Sequence, residues 1–394
     1  MSTYEVTHLD SGETTTRPAV LLNPHYQPQL HPHQSIDPGI EDFHAQLPSY
    51  GETQLHSLPL VAEELGFAHV FVKDESTRFG LPSFKIAGAS WAIHRAICQR
   101  LDLHVSTSLD GVKRALASRQ ATEPVRLVTT TEGNWGRATA RMARYYDIPA
   151  TIYVPGFMNE YTRNLVRSES SLVEVRVLED GSYDDCLAAV RQDSQQHADA
   201  LMVLDTSWDG YEEIPRWVTE GYSTVLREVD RQVAAQTHGS NLPILAVASV
   251  GVGSWAHSVA SHYRAASADN LILTVEPVAA PSFKESLHCG AITPIWTGDK
   301  IMNGMNCGTT SSIAWPVLRD GTFAAVTVTD AESHACVQEL QTRGVNAGPC
   351  GAATLAALRK ACAEGVLGVE QMMGMVVVLF STEGRREYEV PSAE

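Results

Sequence analysis

The sequence predicts an α/β protein built as two lobes, each a parallel sheet covered by helices. Short apolar runs of strand length recur along most of the chain, several of them closed by Gly, Pro or Ser. Segments of helical period separate these runs, which is the order of repeated βα units. The units come in two series, one before and one after residue 244.

Taken in order, residues 68–73 read as a strand. Residues 84–100 read as a helix, with Ile86, Ala89, Ile93 and Ile97 on one face. Strands follow at 126–131, 150–154, 173–178 and 201–205, with helices at 134–146, 160–168 and 183–197. In the second series strands fall at 244–249, 271–276, 324–328 and 375–380, with helices at 331–343 and 352–363 among the intervening segments. The expected division is a larger domain from 1–87 plus 208–394 and a smaller one from 88–207. Residues 1–45, rich in Pro, His and Thr, read as an extended arm. The His31-Pro32-His33 motif in that arm reads as a solvated loop, because no neighbouring Cys or acidic cluster completes a ligand set. No metal is expected.

The chain has 394 residues, 44% hydrophobic and 19% charged, ordinary values for a globular protein. Its net charge of −17 disfavours nucleic acid and anionic membranes as partners. The seven cysteines form no CxxC pair, which fits neither a disulfide framework nor a zinc ribbon and suits a reducing compartment. The apolar runs at 242–252 and 372–380 are too short to span a bilayer. No basic segment followed by an apolar stretch opens the sequence. A cytoplasmic protein is expected.

Five segments carry candidate chemistry. Lys85 closes the stretch Lys73-Asp74-Glu75-Ser76-Thr77-Arg78-Phe79-Gly80-Leu81-Pro82-Ser83-Phe84-Lys85. It falls in the first turn of a helix, where the dipole disfavours a cation. A partly buried lysine there reaches its neutral, nucleophilic form more easily; the alternative is an exposed helix lysine. Thr130-Thr131-Glu132-Gly133-Asn134-Trp135-Gly136 joins a strand to a helix, either as an anion-binding turn or as a simple cap. Ser249-Val250-Gly251-Val252-Gly253-Ser254 is a Gly-rich turn that lets the backbone approach a phosphate. It is neither a dinucleotide fingerprint, since Ala256 stands where the third glycine would be, nor a P-loop. Asp205 closes a strand and is a candidate acid or base, or a turn cap. Ser381 in Ser381-Thr382-Glu383-Gly384 follows an apolar strand and offers a hydroxyl.

The order of these segments resembles the fold-type II pyridoxal-phosphate enzymes, which are like the tryptophan synthase β-chain. The closer resemblance is to the diaminopropionate ammonia-lyases. It rests on KDES-RFG-FK at 73–85, GN-GR at 133–137, DT-W-GY at 205–211, IP-W at 214–217 and Gly221-Tyr222. It continues through GVG at 251–253, Val275-Glu276-Pro277, the 302–308 stretch and STEG at 381–384. It spans roughly residues 50–384.

This resemblance implies pyridoxal 5'-phosphate in a cleft between the lobes, held by Lys85 as a Schiff base. The Gly251, Val252, Gly253 and Ser254 turn would take the phosphate. Asn134 would bond the phenolic oxygen, and Ser381 would face the pyridine nitrogen. Thr131, Gly133 and Ser83 would receive the substrate carboxylate. Lys85, Glu132 and Asp205 would move protons. The implied reaction is α,β-elimination, foremost of 2,3-diaminopropionate to pyruvate and ammonia through aminoacrylate. The alternatives are a dehydratase of a serine- or threonine-like amino acid and a β-replacement enzyme. A small amino-acid substrate and a homodimer are the implied partners. The sequence departs from the lyase pattern at Glu132, where that pattern has Asp, and at Trp135, where it has His. It departs again at Gly348-Pro349-Cys350-Gly351 and at Arg385-Arg386-Glu387.

Overall fold

The computed structural model describes residues 2–29, 36–298 and 301–392. The chain divides into two units, residues 1–36, 52–77 and 225–394, and residues 37–51 and 78–224.

The first unit holds a seven-stranded sheet. Its strands are β3 (Val20–Leu22), β4 (Leu55–Ser57), β5 (His69–Asp74), β10 (Ile244–Ser249), β11 (Leu271–Pro277), β12 (Ala324–Val328) and β13 (Val376–Ser381), in the order β3-β12-β11-β10-β13-β5-β4. The five central strands are parallel, and the two edge strands, β3 and β4, are antiparallel to their neighbours. The central strands are buried on both faces, so they read as continuous Val, Leu and Ala rather than as an alternation. Val247, Leu273, Val326 and Leu379 pack in one core with Ala352, Leu355 and Leu358 of the helix Pro349–Ala363. Lys73, fully buried on β5, donates to Glu228 Oε2 at 2.8 Å, Gln232 Oε1 at 2.9 Å and the Thr53 carbonyl at 2.8 Å. All three ammonium protons are used, which offsets the cost of burying the charge.

The N-terminal region corrects the expectation of an extended arm. β1 (Thr3–Thr7) and β2 (Thr14–Pro18) pair as an antiparallel hairpin, β3 adds to the main sheet, and a short helix spans Ile40–His44. The alternation that buries Tyr4 and Val6 is the local cause. The His31-Pro32-His33 motif lies outside the described residues.

The second unit holds a four-stranded parallel sheet, β6 (Arg126–Thr130), β7 (Ala150–Pro155), β8 (Val173–Leu178) and β9 (Ala200–Met202), in the order β8-β7-β6-β9. Residues 37–51, 78–87 and 208–224 pack in this unit, not in the larger part where the sequence placed them. The reason is one helix crossing. The helix Lys85–Arg100 is continuous and packs on Glu213–Gly221. A Cβ at Gly88 would come within 2.8 Å of the Val218 carbonyl, and one at Gly221 within 2.6 Å of the Ala87 carbonyl. The two glycines bring the backbones of these helices together within this unit. The helix Lys85–Arg100 is buried nearly all round, beyond the single apolar face expected.

All seven cysteines are free thiols. Among the described residues no helix is long and apolar enough to cross a membrane.

Candidate active site

In the second unit, Lys85 opens its helix immediately after a reversal of the chain. Phe79 (φ 48°) and Gly80 (φ 74°) both take left-handed backbone, and Ser83 lies buried before the helix begins. A side chain on Gly80 would press on Ser49 at 3.3 Å. Arg141 and Arg137 bracket Glu169, which brings the helix Asn134–Tyr146 and the 79–80 reversal under one charge cluster.

The structure joins Lys85 to Asp205, 120 residues away: Lys85 Nζ donates to Asp205 Oδ2. Both side chains are largely shielded, 17% and 9% exposed, so the pair acts in a lowered dielectric while still open to a small ligand. The Lys85 ammonium also sits 5.2 Å from the centre of the Phe84 ring. Asp205 corrects one detail of the sequence reading. β9 stops at Met202, so Asp205 stands in a bend three residues beyond the strand.

The 131–134 turn follows β6. Thr131 is buried, and its Oγ1 accepts from the Gly133 and Gly136 amides, each at 2.9 Å. Gly133, at φ 155°, is a conformation glycine alone takes readily, and Asn134 is the first helical residue. Glu132, Gly133 and Asn134 are half-buried. Trp135 turns into the core and donates from Nε1 to Thr129 Oγ1 at 2.9 Å. It therefore fills the interior of this unit.

In the first unit, β10 runs into the 251–254 turn and then the helix Ser254–Ala266. Gly251 and Val252 are half-buried, Gly253 and Ser254 buried. Gly253, at φ 100°, caps the helix with no side-chain bond to its first amides. A Cβ there would meet Ala314 at 3.0 Å, and one on Gly251 would meet the Gly304 carbonyl at 2.9 Å. The turn is thus a backbone cradle that a side chain would fill. Thr310, whose methyl packs 3.8 Å from that imagined Cβ, is buried and its Oγ1 has no hydrogen-bond partner among the described residues. A cradle of glycines at a helix N-terminus, with a serine hydroxyl and an unsatisfied hydroxyl beside it, fits a phosphate group.

Ser381 ends β13 in full burial, and its Oγ lies 3.5 Å from the Glu383 carbonyl. Gly351 makes room for it, since a Cβ there would lie 2.8 Å from Ser381 Oγ. Glu383 Oε1 accepts from the Cys350 amide at 3.3 Å. The roles of Gly351 and Thr310 were missed in the sequence. The Gly348-Pro349-Cys350-Gly351 departure marks the first, and nothing marks the second. Of the predicted residues, the structure joins Lys85 to Asp205 and Thr131 to Gly133 in the second unit, while the 251–254 turn and Ser381 belong to the first.

The chain is similar over most of its length to a set of known proteins. A diaminopropionate ammonia-lyase of Salmonella typhimurium is 31% identical over 299 residues, 73% of this chain and 71% of that protein. The Escherichia coli enzyme of the same name is 32% identical over 283 residues, covering 71% and 68% of the two chains. A crystal structure of the Escherichia coli diaminopropionate ammonia-lyase in complex with D-serine superposes with a TM-score of 0.83 over 93% of both chains at 27% identity. A second, in complex with an aminoacrylate-PLP azomethine reaction intermediate, gives 0.80 over the same shares at the same identity. A tomato threonine deaminase, at 16% identity and a TM-score of 0.67 over 93% and 90% of the two chains, shares the fold. Residues 47–381 match the family described as pyridoxal-phosphate dependent enzyme, and the chain belongs to that family.

Proposed function

We propose that this protein catalyses the α,β-elimination of 2,3-diaminopropionate, giving pyruvate and ammonia. The observation that carries the reading is the shielded Lys85–Asp205 pair, in a chain whose 31% identical relative is named diaminopropionate ammonia-lyase. Bound pyridoxal phosphate supplies the electron sink that lets a proton leave the substrate's α-carbon.

The protein's own residues do the rest. The 251–254 turn holds the phosphate through backbone N–H groups and the Ser254 hydroxyl, at the positive end of a helix dipole. Asn134 donates to the ring's phenolic oxygen, and the Ser381 hydroxyl meets the pyridine nitrogen. Thr131, Gly133 and Ser83 receive the substrate carboxylate. Lys85 Nζ takes the α-proton, and Asp205, bonded to that nitrogen, relays a proton to the leaving β-amine. Glu132 removes the α-proton of the opposite enantiomer. Released aminoacrylate hydrolyses in water to pyruvate and ammonia. The same reading carries a homodimer, as well as a cytoplasmic location that the seven free thiols support.

A dehydratase of β-hydroxy amino acids is the second reading, favoured by the D-serine held in a structural neighbour. Purified protein with pyridoxal phosphate is offered D- and L-2,3-diaminopropionate, then serine and threonine, and pyruvate and ammonia are measured. Release from a diaminopropionate isomer, lost by at least about a thousandfold in Lys85→Ala, is the expected result. Pyruvate from serine, or 2-oxobutyrate from threonine, but none from diaminopropionate transfers the reaction to the dehydratase, and no turnover of any of them overturns both.

A further inference from the structure

We propose that the Tyr211 hydroxyl is the positioning group for Asp205, fixing where that carboxylate meets Lys85. The inference rests on the Lys85–Asp205 partnership of the preceding section and adds the device that sets it.

The need for such a device follows from the backbone. β9 ends at Met202; the last backbone bond to the neighbouring strand runs from the Val203 amide to the Val128 carbonyl at 3.0 Å, and the Thr129 hydroxyl of that strand holds the Val203 carbonyl at 2.6 Å. Beyond it the sheet no longer dictates the path, yet Asp205 must present one oxygen to Lys85. Tyr211 closes this gap. Its Oη accepts from the Leu204 amide at 3.0 Å and donates to the Met202 carbonyl at 3.1 Å. One hydroxyl thus ties the residue just before Asp205 to the end of the strand, using both its donor and an acceptor position.

The ring is held as firmly as the hydroxyl. Residues 208–211 form a tight turn through Gly210 (φ 85°), closed by the Tyr211 amide on the Trp208 carbonyl at 2.9 Å. The Tyr211 ring stacks on Trp208 with centroids 4.6 Å apart and planes at 21°. The Arg191 guanidinium lies 3.7 Å from the Trp208 centroid. Burial, opposed by the Leu204 amide and aided by the Asp205 charge, drives the Tyr211 hydroxyl far above the ordinary tyrosine range. It therefore stays a donor throughout the working pH range. The chain passes Asp205, turns, and brings its own tyrosine back beneath the residues that carry the carboxylate.

The test needs no substrate. Full-length protein freed of pyridoxal phosphate is treated with formaldehyde and cyanoborohydride at neutral pH, and methylation of Lys85 is timed by peptide mass spectrometry. A carboxylate hydrogen-bonded to Nζ occupies and shields that nitrogen, which slows its attack on formaldehyde. Asp205→Asn is expected to speed methylation on the order of tenfold and Tyr211→Phe roughly threefold. The double variant should match Asp205→Asn alone, because the hydroxyl acts only through the carboxylate. A folded Tyr211→Phe protein that reacts at the wild-type rate, or a double variant whose effects add, overturns the proposal. If Tyr211→Phe does not fold, Trp208→Leu removes the ring's support and keeps the hydroxyl. An intermediate rate then supports the proposal, and a wild-type rate overturns it. Failure to turn over diaminopropionate removes only the functional reading, and leaves this result standing or falling by itself.

Discussion

Two strand-to-helix turns in this protein look alike in sequence and differ in what they do with their amides. The 131–134 turn satisfies itself: Thr131 Oγ1 takes the Gly133 and Gly136 amides. The 251–254 turn is capped by Gly253, which has no side chain of its own to offer the helix start. A helix N-terminus carries unpaired N–H groups by construction, and either a side chain or a ligand must meet them. The first turn uses a side chain and so gains rigidity. The second has a glycine cap, which leaves its backbone open to close approach by an anion.

The comparison can be pressed hardest with acid. The unit that carries the self-capped turn also buries His44 and His94. Burial, with the Arg78 charge nearby, pushes His44 down to about 3, and burial pushes His94 down to about 4. Both stay neutral in the fold, while the unfolded chain takes up protons below about 6.5. Between those limits the unfolded state binds more protons, so stability falls as pH drops. Urea midpoints should decline from pH 6.5 to pH 4, with a shallower decline in His44→Gln. A midpoint flat over that range breaks the assignment.

Gly253→Ala attacks the bare turn, adding left-handed strain and a 3.0 Å contact to Ala314. Affinity for pyridoxal phosphate, read by fluorescence, should fall about a hundredfold, which corresponds to roughly 2–3 kcal/mol. Thr131→Val attacks the other turn. Two amides lose their acceptor, and stability should drop by about 2 kcal/mol in urea while cofactor affinity stays near the wild-type value. A large loss of affinity there would mean that the two turns are not distinct in function. Ser254→Ala is the mildest change, costing about 1 kcal/mol or roughly fivefold in phosphate affinity.

The βα order was legible because strands buried on both faces leave apolar runs that only a parallel sheet accommodates. Helix starts such as Lys85, Asn134 and the 330–342 segment, with its Thr329 capping box, were readable from local chemistry to within a residue. The Lys85–Asp205 partnership was not legible by pattern, since no local rule links residues so far apart. The resemblance supplied both names, but not their contact. The hairpin β1–β2 escaped because its alternation is short and lies in a Thr-rich stretch. The close approach of Gly88 to Gly221 within one unit is a fact of tertiary packing that leaves no periodic trace.

That crossing has a mechanical consequence. Lys85 stands one helical turn from Gly88, where the backbone lies against the Val218 carbonyl and the Tyr222 ring. A contact cushioned by long side chains can absorb a shift through rotamer changes, whereas bare backbone transmits it. A displacement of the helix Glu213–Gly221 therefore meets the base of the lysine's helix with little side-chain cushion to absorb it. The precision with which Nζ is aimed depends on two methyl groups that are absent, and a repacking of this crossing would retune the chemistry without touching a single reactive atom.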